Sequence, residues 1–459
     1  MKKAWNSLAA LPLLACFLQA ASPAVSEIPL PEKIYPGLDA ILRSAVQQSP
    51  RMLSRTLELE MADNDRIVAR ANLLPTLGAS YSFNESRDSI NYITGPTAIS
   101  AYSNIVTKTP YSVTLTQPVF HWGERRNNDR IGEIQHKIAQ GQYRQGYRLL
   151  AQELRGGYLR LIVQKLSLKR ARFYQQYVSN QLKLQEERLL KKVISEVEIS
   201  IARQNAEQAQ ISLERTEFDF TNAKLSFARL AGLGPIGDES IPDAISETTY
   251  AAGSYDQLLA EFLSQKDPVT TEAYNLRQQI EIANLNYANA KTRLLPKVNA
   301  NLGLSQDEQN NIYGPGTKYS TASRYIGLSV NWNIFDGFAA GAYTRNALIR
   351  RRTMESDYQQ LTAQLAQDAQ TAVKQINFSA RNMSIQDRLL VSNGGYLNTV
   401  KEDFRRGVKS DSEVGQVQLN VYDAEINASS ARMDYLLKIG DFLGTLNEDP
   451  IVANLPAKS

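Results

Sequence analysis

The chain has 459 residues, 43% hydrophobic and 21% charged, a balance that belongs to folded protein and excludes intrinsic disorder. Its formal net charge of +4 includes Lys2 and Lys3, and so small a surplus points away from nucleic-acid partners. His121, His136 and the single cysteine, Cys16, fall into no metal or triad spacing, so no metal, no cofactor and no enzyme activity is expected.

In chain order, Met1-Lys2-Lys3 precedes an apolar run from Leu8 to Leu18 and small residues at 20–24. This is the order of a secretory signal peptide spanning 1–24, with cleavage expected after Ala24. Cys16 follows Leu13-Leu14-Ala15, an imperfect lipoprotein box, which makes it a candidate lipidation site. No later stretch is apolar for the ~18 residues that a transmembrane helix needs, so any membrane span must be a β-barrel.

A first structural repeat is read over 25–250. Its opening helix ends at Leu73-Leu74-Pro75, and a strand is predicted near 76–84, where Leu77, Ala79, Tyr81 and Phe83 alternate with Thr76, Gly78, Ser80 and Ser82. The polar segment 84–110 reads as an outer loop. A returning strand near 111–120 alternates Tyr111, Val113, Leu115 and Val119 with Ser112, Thr114 and Thr116, and Gln117 interrupts the apolar row. The proline-free stretch 123–191 predicts one very long helix, and after a turn a second helix covers 196–232. In that second helix Ile199, Ala202, Ala206, Ala209, Leu213, Thr216, Phe220, Ala223, Phe227 and Leu230 follow alternating steps of three and four, a coiled-coil seam.

A second repeat, 251–446, has the same plan: a helix over 268–294, strands near 296–305 and 325–335, and helices over 339–405 and 411–444. Segment 305–324 reads as a loop, and 447–459 as a flexible C-terminal tail. Val298, Ala300, Leu302 and Leu304 make one apolar row, and Ile326, Leu328, Val330, Trp332 and Ile334 another. Phe120 and Phe335 lie 215 positions apart, and Ser195–Ile199 lies opposite Ser410–Val414 at the same offset, so one unit is written twice.

Pro75 and Pro296 mark the step from helix to strand, because proline fixes φ and gives no backbone donor. Trp122 and Trp332 fall at or near strand ends, where the aromatic girdle of a lipid-embedded barrel sits, and Tyr325, Phe120, Phe335 and Phe338 are expected to add to it. Four strands cannot close a barrel, so other copies of the chain must complete it.

Together, the paired Leu-Leu-Pro entries, the strand exits Val119-Phe120-His121-Trp122-Gly123 and Ile334-Phe335-Asp336-Gly337, and the ending Phe442-Leu443-Gly444-Thr445-Leu446 give the chain a resemblance to the TolC-type outer-membrane factors, the outer membrane efflux protein family. The resemblance implies a mixed α and β membrane protein. In it, four transmembrane β-strands per chain build the 12-stranded barrel of a homotrimer in outer-membrane lipid, continued by a long antiparallel α-helical coiled-coil periplasmic tunnel. It also implies a passive exit duct of a tripartite efflux or type I secretion system in a Gram-negative bacterium. Such a duct docks onto a periplasmic membrane-fusion adaptor and an inner-membrane pump of RND or ABC type. The alternative, a periplasmic coiled-coil adaptor or scaffold protein, would carry one hairpin rather than two.

By the same resemblance a periplasmic gate falls at the helix tips. Glu413 and Gln416 match positions lining the constriction, and Glu198 and Lys409 match an acid and a base that face each other there. Lys192 stands where the family has glycine, a departure that bears on the first turn.

Overall fold

The computed structural model describes residues 28–93, 99–250, 252–265, 267–311, 316–453 and 455; the expected signal peptide and Cys16 lie outside them. The chain divides into two units, one built from residues up to 56, 142–273 and 361–459, the other from 57–141 and 274–360.

The helices are α1 (Pro31–Ile34), α2 (Pro36–Gln48), α3 (Pro50–Ala71), α4 (Glu124–Leu190), α5 (Glu196–Ala231), α6 (Ala252–Ser264), α7 (Thr271–Lys291), α8 (Ala339–Arg405), α9 (Asp411–Leu446) and α10 (Pro450–Ala453). Proline opens α1 and α2, where a helix has no use for its first N–H. None of the helices is long and apolar enough to cross a membrane among the described residues.

In the first unit every α5 seam residue from Ile199 to Leu230 is buried or half-buried, and the matching α9 row, Val414, Val417, Val421, Ala424, Ala428, Ala431 and Tyr435, is too. The opposite side of α5 carries a second apolar row, Ile211, Phe218 and Leu225 at heptad spacing, and this row is exposed. The repeat is visible in the backbone: α5 ends at Gly232 (φ +75°) and α9 at Asn447 (φ +61°), both left-handed and 215 positions apart. At Gly232 a Cβ would lie 2.1 Å from the Gln48 carbonyl oxygen, so only glycine fits.

The segment 447–459, expected as a flexible tail, starts as folded structure. Asp449 is 2% exposed, and its carboxylate accepts from Arg155 at 2.6 and 2.9 Å, while Glu32 accepts from the same guanidinium at 2.9 and 2.5 Å. A buried arginine has to be paired, and this one takes one carboxylate from each end of the described chain. Hydrophobic pattern alone gave no sign of that anchor.

The second unit holds an antiparallel sheet of β1 (Thr76–Tyr81), β2 (Asn84–Ile93), β3 (Ile99–Lys108), β4 (Tyr111–Phe120), β5 (Lys297–Asn310) and β6 (Lys318–Asn331). β2 follows β1 after two residues, β4 follows β3 after two, and β2 pairs β3 just as β1 pairs β4, so the six segments amount to four long strands. The loops expected over 84–110 and 305–324 are therefore largely strand: a hairpin in the first repeat and longer β5 and β6 in the second. Polar residues dominate these extensions and the few apolar ones, such as Ile105 and Val106, fall on both faces, so the period-two signal that reveals a half-apolar strand is missing from them.

Register fixes the two faces. Leu77, Leu115, Leu302 and Ile326 lie side by side across all four strands, and Leu77, Leu302 and Ile326 are exposed. On the other face Ser80, Ser112, Ser305 and Ser323 form an equivalent row of hydroxyls, Ser80 and Ser112 being 2.8 Å apart. Among the described residues β1 pairs only with β4 and β6 only with β5, so the sheet has an unpaired edge on each side.

Candidate functional site

Two regions carry the expected functional residues: the turns where helices become strands, and the helix tips.

At the first turn, α3 gives way to β1 through Leu73-Leu74-Pro75, and the Leu73 carbonyl accepts from the Gln117 side-chain amide at 3.0 Å. The Leu294 carbonyl of the second turn accepts from the Trp332 indole N–H at 2.9 Å, and the Pro296 carbonyl accepts from the Trp122 indole at 2.8 Å. A helix end leaves carbonyls without intrahelical partners, and the returning strands supply donors for them. Trp122 and Trp332, expected as membrane-interface aromatics, are 42% and 59% exposed and also pin these turns. Pro75 and Pro296 sit immediately before β1 and β5.

The strand exits turn on paired left-handed residues: Trp122 and Gly123 (φ +54° and +83°), and 215 positions later Gly337 and Phe338 (φ +66° and +68°). Each pair is one glycine and one aromatic, in opposite order. Below the first exit, buried His121 is bonded to Asn299 Oδ1 through Nε2 at 2.9 Å and accepts from Arg125 Nε at Nδ1, 3.4 Å away. Arg125 has no acceptor atoms, so His121 Nε2 carries the proton toward Asn299. Tyr325 does not join the girdle; it shares a face with Ser323 and Ser329, opposite the exposed Ile326 and Leu328.

At the tips the repeats share the same turn and capping bonds. The Val193 N–H donates to the Arg188 carbonyl at 2.9 Å, and the Val408 N–H to the Asp403 carbonyl at 2.9 Å, each closing its long helix. Lys192 takes φ +58° and its counterpart Gly407 φ +78°, so the lysine adopts the left-handed conformation of the glycine it replaces. The turn geometry is retained.

The next helix begins in each case with a reciprocal capping box. The Ser195 N–H donates to Glu198 at 2.8 Å while the Glu198 N–H donates to the Ser195 hydroxyl at 3.3 Å; Ser410 and Glu413 repeat this at 2.9 and 3.3 Å. Glu413 also accepts from Lys409 Nζ at 2.6 Å. That bond and the Ser410 N–H bring the Glu413 carboxyl down to about 2, and Lys409 is shifted up by the same partner. The Ser195 N–H and hydroxyl lower Glu198. Glu198 and Glu413 are solvent-exposed in the single chain, and Lys409 is half-buried.

Among the described residues, no bond joins Glu198 to Lys409; each is satisfied within its own tip. Glu413 and Gln416, with Asn420, lie exposed on one face of α9. The capping role of the two glutamates was readable in sequence as Ser-x-x-Glu before each helix, at Ser195 and Ser410. Among the described residues no cluster of His, Cys, Asp and Glu could hold a metal.

A four-strand sheet with an oily outward face, joined to heptad hairpins of more than sixty residues, is the build of an outer-membrane channel. A sequence profile of the family described as outer membrane efflux protein matches residues 41–233 and 275–438, and the chain belongs to that family. It is accordingly a channel protein of the outer membrane that extends into the periplasm, and not an enzyme.

Solved structures share its fold at low identity. The outer membrane protein VceC of Vibrio cholerae is 15% identical, with a TM-score of 0.63, over 89% of this chain and 95% of that one. The CmeC outer membrane channel of Campylobacter jejuni is 14% identical, with a TM-score of 0.67, over 90% and 86%. The open-state MtrE outer membrane channel of Neisseria gonorrhoeae is 16% identical, with a TM-score of 0.62, over 90% and 89%. No curated protein matches the sequence.

Proposed function

We propose that three copies of this chain form a passive exit duct of a tripartite efflux or type I secretion system, docked onto a periplasmic membrane-fusion adaptor and an inner-membrane RND or ABC pump. The observation that carries this reading is the Leu77–Leu115–Leu302–Ile326 row on a sheet with two unpaired edges. An open edge in hydrocarbon leaves backbone groups without partners at a cost of several kcal/mol each, and three such sheets joined edge to edge remove every edge. The exposed Ile211–Phe218–Leu225 stripe gives the helical hairpins an apolar face to set against a neighbouring copy. Cargo is chosen by the pump.

In this duct the tips are the periplasmic gate. Threefold symmetry turns Glu413 into a carboxylate ring, with Gln416 one turn above it. Beside it, a Glu198 to Lys409 link holds the closed state of the assembled duct.

The test is extraction of outer membranes in mild detergent, followed by gel mobility with and without heating. A heat-sensitive trimer supports the duct; recovery as a soluble periplasmic monomer overturns it. Alanine at both Glu198 and Lys409 is expected to raise single-channel conductance in planar bilayers, and unchanged conductance removes the gate assignment alone.

A further inference from the structure

On the polar face of the sheet one row differs from its neighbours: Gly78, Thr114, Gly303 and Tyr325 lie side by side across the four strands. The row nearer the hairpin end is four serines, and the row nearer the helices is Thr76, Thr116, Asn301 and Gly327. Tyr325 is thus a large aromatic ring on a wall otherwise lined here by small polar groups.

The ring does not stand out from the wall. A Cβ built on Gly303 would lie 2.6 Å from Tyr325 Cζ and from its hydroxyl oxygen, so the ring covers the bare glycine backbone of β5. The hydroxyl reaches one strand further and lies 3.3 Å from Thr114 Oγ1 on β4. Tyr325 therefore spans three strands while lying flat, and 45% of it stays exposed on that face. Contact with real Cβ atoms does not occur below about 3.0 Å, so even a methyl at position 303 displaces the ring.

We propose that Gly303 and Tyr325 set the bore of the barrel: glycine holds the tyrosine flat, and any side chain at 303 swings the ring into the lumen. This rests on the barrel reading above, in which the serine-lined face surrounds the pore. With three copies a displaced ring enters from three sides at one level, so a modest change at one position acts as a collar on the path. Passage through a pore depends on its diameter and on the groups lining it, and the collar changes both.

The described residues contain no cysteine, which makes an introduced one a clean reporter. Asn331, exposed at the helix-proximal end of β6 and on the same face as Tyr325, is reached from the outer mouth only past the tyrosine level. With Asn331→Cys as background, intact cells are treated with a maleimide carrying a polymer tail.

Gly303→Val and the milder Gly303→Ala are each expected to slow labelling roughly threefold or more, and Gly303→Val with Tyr325→Ala to restore the starting rate. An unchanged rate in Gly303→Ala, assembled as a trimer, overturns the proposal. So does a comparable acceleration by Tyr325→Ala alone, since the ring would then already obstruct the path. A Leu302→Cys control separates the two levels: if the aqueous reagent labels it as readily as Asn331→Cys, the barrel reading itself fails.

Discussion

Gln117 and Trp332 stand 215 positions apart and perform the same task, each donating a side-chain N–H to the carbonyl of the first leucine in its own Leu-Leu-Pro turn, Leu73 or Leu294. An amide and an indole share no shape, yet both supply one donor at one place. Gln117→Leu and Trp332→Phe keep most of the bulk and remove the donor. Each is expected to cost about 1 kcal/mol of unfolding free energy, the usual net worth of such a bond. Equal denaturation midpoints for both variants and the parent would show that these carbonyls are served by water.

Arg155 is the most consequential side chain of the helical unit. Arg155→Met leaves Glu32 and Asp449 facing each other in a buried site, an uncompensated arrangement expected to destabilise by about 3–5 kcal/mol. Replacing all three by apolar residues should recover most of that loss. Thermal unfolding followed by circular dichroism reads both, and a mild effect of the single change would mean that water already enters the cluster.

The second tip should be sensitive to acid. The Glu413 carboxyl sits at about 2 in the folded chain against an ordinary 4.5, so its bonds to Lys409 and Ser410 stabilise the tip at any pH above about 4.5. That contribution fades as pH falls through the interval down to about 2. Amide exchange at Val414 and Gly415 should be flat from neutral pH to 5 after correction for intrinsic rates, and rise below it. Glu413→Gln should abolish the dependence, and a dependence that persists would assign it to another group.

Position on the sheet decides tolerance to charge. Ile326→Lys puts an ammonium on the lipid side of β6, at an expected cost of about 2–4 kcal/mol near the bilayer midplane. Ser323→Lys, three residues away on the opposite face, should assemble normally. Trimer yield from outer membranes distinguishes the two, and equal yields would contradict the assignment of faces.

The long helices and the lower halves of the strands were legible because both have a period: heptad steps from Ile199 to Leu230, and alternation from Leu77 to Phe83. Repetition at 215 residues then let each half check the other. The strand extensions over 84–108 and beyond 305 were not legible, since a mostly polar strand whose few apolar residues fall on both faces has no amphipathic signature. Gln117 looked like a flaw in an apolar row, and only the position of the Leu73 carbonyl explains it. The resemblance sets Glu198 against Lys409 across the tips, whereas within the chain Ser195 engages Glu198 and Glu413 engages Lys409. Asp449 falls in a segment that reads as a tail, because nothing in the sequence locates a single buried carboxylate opposite an arginine almost three hundred positions upstream.

The Arg155 cluster also sets a timetable. A polypeptide threaded across the inner membrane from its beginning delivers Glu32 early and Arg155 later, but Asp449 emerges only after every long helix has passed. Until then the guanidinium has half its complement of oxygens, and the helical unit cannot be locked. A chain stalled before Asp449 would leave the buried guanidinium with Glu32 alone, two of the four bonds it makes in the finished fold.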